Sequence, residues 1–131
     1  MATIFSKIAA GEIPSYKVAE NDNFFAFLDI HPLAKGHTLV IPRKETDYIF
    51  DIEPELYTKY WSFTKQVAQA IEKTIPCLRV GVAVVGLDVP HAHIHLVPLN
   101  SMNDMNFAKP KLSLPDNEMK TLAEAIGKNM G

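Results

Sequence analysis

Three of the five histidines in this 131-residue chain lie within five positions, in the segment His91-Ala92-His93-Ile94-His95. Imidazole can act as a metal ligand, a general acid or base, or a nucleophile near neutral pH, so the spacing of the rings is chemically informative. Successive side chains of a strand alternate between faces, and the three rings therefore project together while Ala92 and Ile94 point into a core. Packing alone does not explain this row, because unpaired buried polar groups are costly.

A metal site is the first chemistry that such a row allows, since neutral imidazole is a common zinc ligand. The outer rings, however, are four residues apart, about 13 Å along an ideal strand. A single ion would therefore take two of the three histidines together with ligands from elsewhere. The chain contains no Cys-x-x-Cys and no His-Glu-x-x-His pattern. We expect no metal and no cofactor, and a metal-dependent enzyme that uses two of these histidines is kept as an alternative.

Nucleophilic catalysis at phosphorus is the second chemistry. A neutral imidazole can attack a phosphoryl centre and form a covalent phosphoramidate, which water then opens. Such a nucleophile needs its other ring nitrogen held by an acceptor, and it needs nearby donors for the phosphoryl oxygens. A central histidine flanked by two more on one face meets both needs without a metal.

The elements that position these histidines follow from the apolar pattern. Residues 54–75 carry apolar side chains every three or four positions and predict a long amphipathic helix, with shorter helices at 4–10 and near the C-terminus. Segment 78–85 is nearly all apolar, so we expect a strand buried on both faces. Strands are predicted for five segments in all: 16–20, 24–30, 37–41, 78–85 and 91–98. This order predicts a single α+β domain over 1–131, with a mainly antiparallel sheet of about five strands, one long helix and a C-terminal helix.

The composition argues against several classes of protein. With 13 basic and 15 acidic side chains, the formal net charge of −2 leaves no basic footprint for duplex nucleic acid. No apolar run approaches the roughly 20 residues that a membrane span requires. The single cysteine, Cys77, cannot form an internal disulfide, and the N-terminal segment lacks the apolar stretch of a signal peptide. We therefore expect a cytoplasmic protein that binds neither nucleic acid nor membrane.

Segment His91–Val97 resembles the His-x-His-x-His-x-x signature, with apolar x, of the histidine triad (HIT) superfamily. Further segments are similar, in the same order, to its nucleotide-binding branch: Thr3–Ile8 with Gly11–Pro14, Phe25–Ile30 and Gly36–Pro42. The likeness covers roughly residues 3–98, and a loop and the C-terminal helix are expected over 99–131.

The resemblance implies a HIT-like fold and a purine nucleotide substrate. Family members release a nucleoside monophosphate from phosphoramidates, dinucleoside polyphosphates or nucleotide-sugars. Their nucleotidyl-histidine intermediate forms without a metal in the chemical step. They are commonly homodimers whose sheets join across the interface, so a homodimer is expected here.

The resemblance also implies roles for individual residues. His93 matches the nucleophile, His91 the residue whose main-chain carbonyl orients that nucleophile, and His95 a donor to the phosphate and bridging oxygen. His37 matches a more distant histidine of the cluster, and Asp29 matches the acidic residue that accepts the ribose hydroxyls. An apolar slot for the purine is implied for six residues: Ile4, Phe5, Ile8, Ile13, Phe27 and Ile30.

The chain departs from the family pattern just before the first triad histidine. The family usually has Gln and then Ser or Thr four and three residues earlier, where this chain has Leu87 and Asp88. An Asn that is common on the preceding strand is also missing between Cys77 and Pro90. Those polar residues normally touch the phosphate and the leaving group, so a catalytically weak nucleotide-binding module is the alternative to a hydrolase. Some members bind zinc through Cys-x-x-Cys where this chain has Thr3-Ile-Phe-Ser6, and no structural zinc is expected.

The segment Asn100–Lys111 is unusual for a loop. It carries Met102, Met105 and Phe107 among polar residues. We hypothesise that it folds over the site, or over a partner subunit, and helps to select the leaving group.

Overall fold

A five-stranded antiparallel sheet organises the chain in the computed structural model, which describes residues 2–131. Its strands lie in the order β1-β2-β3-β5-β4; they are β1 (Lys17–Glu20), β2 (Phe24–Leu28), β3 (Thr38–Pro42), β4 (Arg79–Ala83) and β5 (Ile94–Leu99). The helices are α1 (Ile4–Ala9), α2 (Pro54–Thr74) and α3 (Asp116–Lys128), with short 3-10 turns at Ile49–Asp51 and Met102–Met105. The predicted α+β class and five-stranded sheet are confirmed. Within residues 2–131, no helix combines the length and the apolar character needed to cross a membrane.

Local sequence signals explain where these elements begin and end. The Thr3 hydroxyl accepts a hydrogen bond from the Ser6 backbone N–H at 3.0 Å and caps α1, and Gly11 turns the chain away at a φ of 82°. The Asn21 side chain accepts two backbone N–H groups, at 2.9 and 2.8 Å, and closes the turn between β1 and β2. Pro54 begins α2, because the first turn of a helix does not need its missing N–H.

The two faces of the sheet are covered by different helices. The larger apolar core lies between the sheet and helices α2 and α3. The opposite face packs against α1 in a smaller core whose members are all buried and apolar: Phe5, Ile8, Phe25, Phe27, Leu39 and Ile41. Phe24 and Phe25 are neighbours in β2 but belong to different cores, as the alternation of a strand requires.

Strand β4 differs from the strand predicted over 78–85. It is the last strand of the sheet and pairs with β5 alone among the described strands. Leu78, Val82 and Val85 are 79%, 50% and 51% exposed. The expectation of burial on both faces was wrong, because an apolar run alone does not determine whether a strand lies at the centre or at the edge of a sheet.

Strand β5 begins later than the prediction of 91–98. Its pairing with β3 ends at Ile94, and the chain before it bonds elsewhere: the Ala92 N–H donates to the Thr46 carbonyl at 2.7 Å. Only His95 of the three clustered histidines therefore lies in a strand. The alternation nevertheless continues upstream of the strand, because Ala92 and Ile94 both lie in the larger core.

Candidate active site

Four histidines meet on the face of the sheet that carries α1. The ring centroids of His93 and His95 are 5.1 Å apart, and those of His37 and His95 are 5.2 Å apart. The Phe5 ring meets His93 edge-on at 5.0 Å and His91 at 6.0 Å. All four histidine side chains are buried. The structure therefore brings together the histidines to which the sequence assigned the chemistry.

His93 has one ring nitrogen occupied and the other unpaired. Its Nδ1 lies 2.8 Å from the main-chain oxygen of His91, and a carbonyl oxygen can only accept, so Nδ1 carries the hydrogen. Nε2 of the neutral ring is then an unprotonated lone pair. It is buried and has no hydrogen-bond partner among the described residues, although Oδ1 of Asp88 approaches it to 3.4 Å. A buried, unpaired imidazole nitrogen is the state in which a histidine is nucleophilic.

The protons of His37 and His95 follow from a chain of hydrogen bonds. The Leu33 backbone N–H donates to Nδ1 of His37 at 3.0 Å, so the proton of the neutral His37 ring is on Nε2. That N–H donates to Nδ1 of His95 at 2.9 Å. His95 must then carry its own proton on Nε2. The Leu33 backbone N–H thus determines, through His37, that His95 is a donor at Nε2.

Burial lowers the pKa of the site histidines. The pKa of His37 falls to about 3 and that of His95 to about 4, chiefly because burial disfavours the charged ring. The pKa of His91 is also lowered, again mainly by burial. These imidazoles are therefore neutral at pH 7, as the hydrogen bond between His37 and His95 requires.

His91 is held by the N-terminus of α1. Its Nε2 lies 2.7 Å from the Pro42 carbonyl and so donates, which leaves Nδ1 to accept from the Thr3 hydroxyl at 2.8 Å. Glu45 ties this corner together, since one carboxylate oxygen accepts from the Thr3 N–H at 2.8 Å and from the Ser6 hydroxyl at 2.7 Å. The first of these bonds is the main reason that the pKa of Glu45 is lowered. The residue that orients His93 is therefore itself fixed by the helix cap.

Changing Thr3 to valine removes that hydroxyl at nearly constant shape. We expect Thr3→Val to lower the free energy of unfolding by about 2 kcal/mol, because it removes the α1 cap and leaves Nδ1 of His91 only the longer contact of 3.3 Å to the Ser6 hydroxyl, which donates to Glu45. Urea denaturation measures the change. Thr3→Ser keeps the hydroxyl and should retain most of the stability. Equal stability of the valine variant and the original chain would show that the two hydrogen bonds contribute little.

The residues predicted to form the purine slot are only partly gathered. Ile4 and Ile30 are 51% and 63% exposed and lie outside the smaller core. The other four form one apolar surface that reaches His93: Phe5, Ile8, Ile13 and Phe27. An apolar wall thus lies on one side of the candidate nucleophile.

Asp29 lies beside the His37–His95 pair. Its Oδ1 accepts from the His31 backbone N–H at 2.9 Å, and its Oδ2 lies 3.6 Å from Nε2 of His37. This approach is not an ion pair, because His37 is neutral at pH 7. Burial is the main cause of the raised pKa of Asp29. One oxygen of this carboxylate is occupied and the other faces the histidines.

The same three side chains form the possible metal site of the described chain. Asp29, His37 and His95 offer ligand atoms that lie within 4.8 Å of one another. Two imidazoles and a carboxylate are a donor set that suits zinc. The His37–His95 hydrogen bond of 2.9 Å already uses two of these nitrogens, so an ion would have to replace that bond and displace its proton.

Several residues of the site were absent from the sequence prediction of site residues. The Phe107 ring meets His95 edge-on at 4.9 Å, so the segment Asn100–Lys111 does lie against the site. The apolar side chains within that polar segment were the sequence signal for this contact. Leu33 and Glu45 had no such signal, because Leu33 acts through its backbone and Glu45 is one exposed acid among several.

The chain is similar in sequence and in structure to known proteins. A model of the HIT domain matches residues 10–102. An uncharacterized HIT-like protein of Borreliella burgdorferi is 32% identical over 135 residues, which cover 97% of either chain. The adenosine 5′-monophosphoramidase of Schizosaccharomyces pombe is 33% identical over 128 residues, which cover 96% of either chain. The crystal structure of a HIT-like protein from Bartonella henselae has a TM-score of 0.83 at 30% identity and covers 97% of this chain and 95% of that one.

Proposed function

Because the chain belongs to the histidine triad (HIT) family, we propose that it is a nucleotide hydrolase or nucleotidyltransferase that acts at the α-phosphorus of a purine nucleotide. The substrates are nucleoside phosphoramidates or dinucleoside polyphosphates, and the product is a nucleoside monophosphate. The observation that carries the proposal is the unprotonated, unpaired Nε2 of the buried His93. The name of the Schizosaccharomyces pombe relative supports the phosphoramidase type.

In this proposal the substrate is positioned by both sides of the site. The purine lies against the apolar wall of Phe5 and Phe27, whose ring centroids are 5.6 Å apart. The ribose hydroxyls donate to Asp29, whose Oδ2 is free of backbone hydrogen bonds. These contacts bring the α-phosphorus to Nε2 of His93, and such positioning supplies a large share of catalysis in phosphoryl transfer.

The first chemical step forms a covalent intermediate. Nε2 of His93 attacks the α-phosphorus, a P–N bond to the ring forms, and the bond to the leaving group breaks with its electron pair. A phosphoramidate takes a proton from water at its nitrogen before this cleavage, so that a neutral amine departs. The His95 Nε2–H donates a hydrogen bond to the phosphoryl group and stabilises the charge of the transition state.

The second step restores the enzyme. Water adds hydroxide to phosphorus, the P–N bond to His93 breaks, and the ring regains its lone pair. The remaining proton of the water returns to solvent, which balances the proton taken up in the first step. The hydrogen bond from Nδ1 of His93 to the His91 carbonyl, 2.8 Å long, stabilises the positive charge of the nucleotidylated ring.

We also propose that the chain acts as a homodimer in the cytoplasm. The support for a dimer is the exposed edge strand β4, where Leu78 and Val82 are apolar and accessible and where a second sheet can add in register. The lone thiol of Cys77 fits a reducing compartment.

Rapid quenching tests the reaction class directly. The protein is mixed with adenosine 5′-phosphoramidate for milliseconds to seconds and quenched with base. Mass spectrometry then measures the mass of the intact protein. We expect an added adenosine monophosphate group that maps to His93. Guanosine 5′-phosphoramidate in the same experiment measures the base preference.

Three other outcomes separate the alternatives. Nucleotide binding with no adduct and no released monophosphate would favour the weak binding module. The observation behind this alternative is that Leu87 and Asp88 replace polar residues of the family pattern. Turnover that disappears on chelation would favour the metal-dependent enzyme. An adduct on His95 would show that the nucleophile is misassigned.

A further inference from the structure

The carboxylate of Asp88 stands at the open side of the candidate nucleophile. Its Oδ1 lies 3.4 Å from Nε2 of His93, and the same oxygen accepts from the Val89 backbone N–H at 3.0 Å. The Asp88 side chain is 71% exposed, whereas that of His93 is 1% exposed. The charge is therefore held by a local hydrogen bond at the boundary between the buried nitrogen and solvent.

Two aromatic rings cover parts of the site. Phe5 packs against His93 with a centroid distance of 5.0 Å, and Phe107 packs against His95 at 4.9 Å. A leaving group must reach solvent after the first step. Because the Asp88 side chain is mostly exposed and lies beside Nε2 of His93, a leaving group that departs on this side passes its carboxylate.

Charges of both signs lie near the site, and the Asp88 carboxylate lies beside Nε2 of His93. The negative charge of Asp88 contributes to the raised pKa of Asp29, after the larger effect of burial. Lys111 belongs to the segment that covers His95, and its ammonium donates to the Lys109 carbonyl at 3.2 Å. Its positive charge contributes to the lowered pKa of His37, after the larger effects of burial and of His95.

We propose that Asp88 is a specificity-determining residue that selects substrates with a cationic leaving group, namely phosphoramidates of amines, and disfavours anionic leaving groups such as nucleoside polyphosphates. This inference rests on the proposed function. A phosphoramidate carries positive charge on its nitrogen when it is protonated for cleavage, and a carboxylate within a few ångströms stabilises that charge. A departing polyphosphate is repelled by the same carboxylate.

Three adenosine 5′-phosphoramidates of matched size test the proposal. Each carries a two-carbon arm on the nitrogen, ending in an ammonium, a hydroxyl or a carboxylate group. We expect kcat/KM to fall in that order, with at least about a tenfold difference between the ammonium and carboxylate arms, as expected for a charge change of two beside one exposed carboxylate. Asp88→Asn should bring the two within about threefold of each other, since only the neutral amide remains.

A matched control removes a carboxylate elsewhere. Asp22 is exposed in the turn between β1 and β2, so Asp22→Asn changes the net charge equally and should keep the original order. Equal rates for all three arms, or an order that survives Asp88→Asn, would overturn the role of Asp88 while leaving the reaction class intact. The absence of turnover and of an adduct with every arm would overturn the proposed function and this inference together.

Discussion

Replacing His93 with alanine is expected to lower kcat by at least about a thousandfold, because no other ring in the site offers an unprotonated and unpaired nitrogen at the same place. His95 cannot substitute, since its Nδ1 accepts from His37 and its Nε2 carries the proton. The apolar wall and Asp29 are unchanged, so AMP should still bind. Steady-state release of monophosphate and calorimetric AMP binding measure the two quantities separately.

A second variant guards against a trivial loss through misfolding. His93→Gly leaves a ring-sized space, and added imidazole should enter it and restore part of the turnover. A cooperative thermal unfolding transition shows that each variant is folded. If His93→Ala retained near-normal turnover, the assignment of the nucleophile would be wrong. Lost AMP binding in a folded variant would instead show that the nucleotide site depends on this ring.

The stability of the protein is expected to fall by about 4 kcal/mol between pH 7 and pH 5, about 2 kcal/mol from each of the buried pair His37 and His95. Their pKa values in the folded chain are lowered to about 3 and about 4, whereas a histidine of the unfolded chain has a pKa of about 6.5. The unfolded chain therefore takes up protons first as the pH falls. This stabilisation is complete above about pH 6.5 and is lost progressively as the pH falls toward the folded values.

Urea unfolding at pH 7 and pH 5 measures this difference. The acidic groups with lowered pKa values, such as Glu45 and Asp116, have pKa values of about 4 in the unfolded chain. They lose their stabilising effect only below that pH. The window from pH 6.5 to pH 5 therefore reports mainly on histidines. His95→Asn should remove roughly half of the pH dependence. A free energy of unfolding that stays constant to pH 5 would show that the buried rings are protonated in the folded state.

The sequence by itself predicted most of the fold, because the signals involved are local. The apolar period of α2 and the alternation around Ile94 depend on neighbours within a few residues. The family resemblance was likewise carried by short segments and is confirmed by the match over residues 10–102. The burial of β4 was wrongly predicted, because the place of a strand in a sheet depends on the pairing of distant segments.

The contacts that give each ring its protonation state were decided only by the tertiary structure. His37 and His95 are 58 positions apart, and Thr3 and His91 are 88 apart. Folding brings them within hydrogen-bond distance because β3 pairs with β5 and because α1 lies across the same face. The row of histidines was visible in one dimension. Which nitrogen is left without a proton, and which carboxylate stands beside it, depends on atoms that only the folded chain brings together.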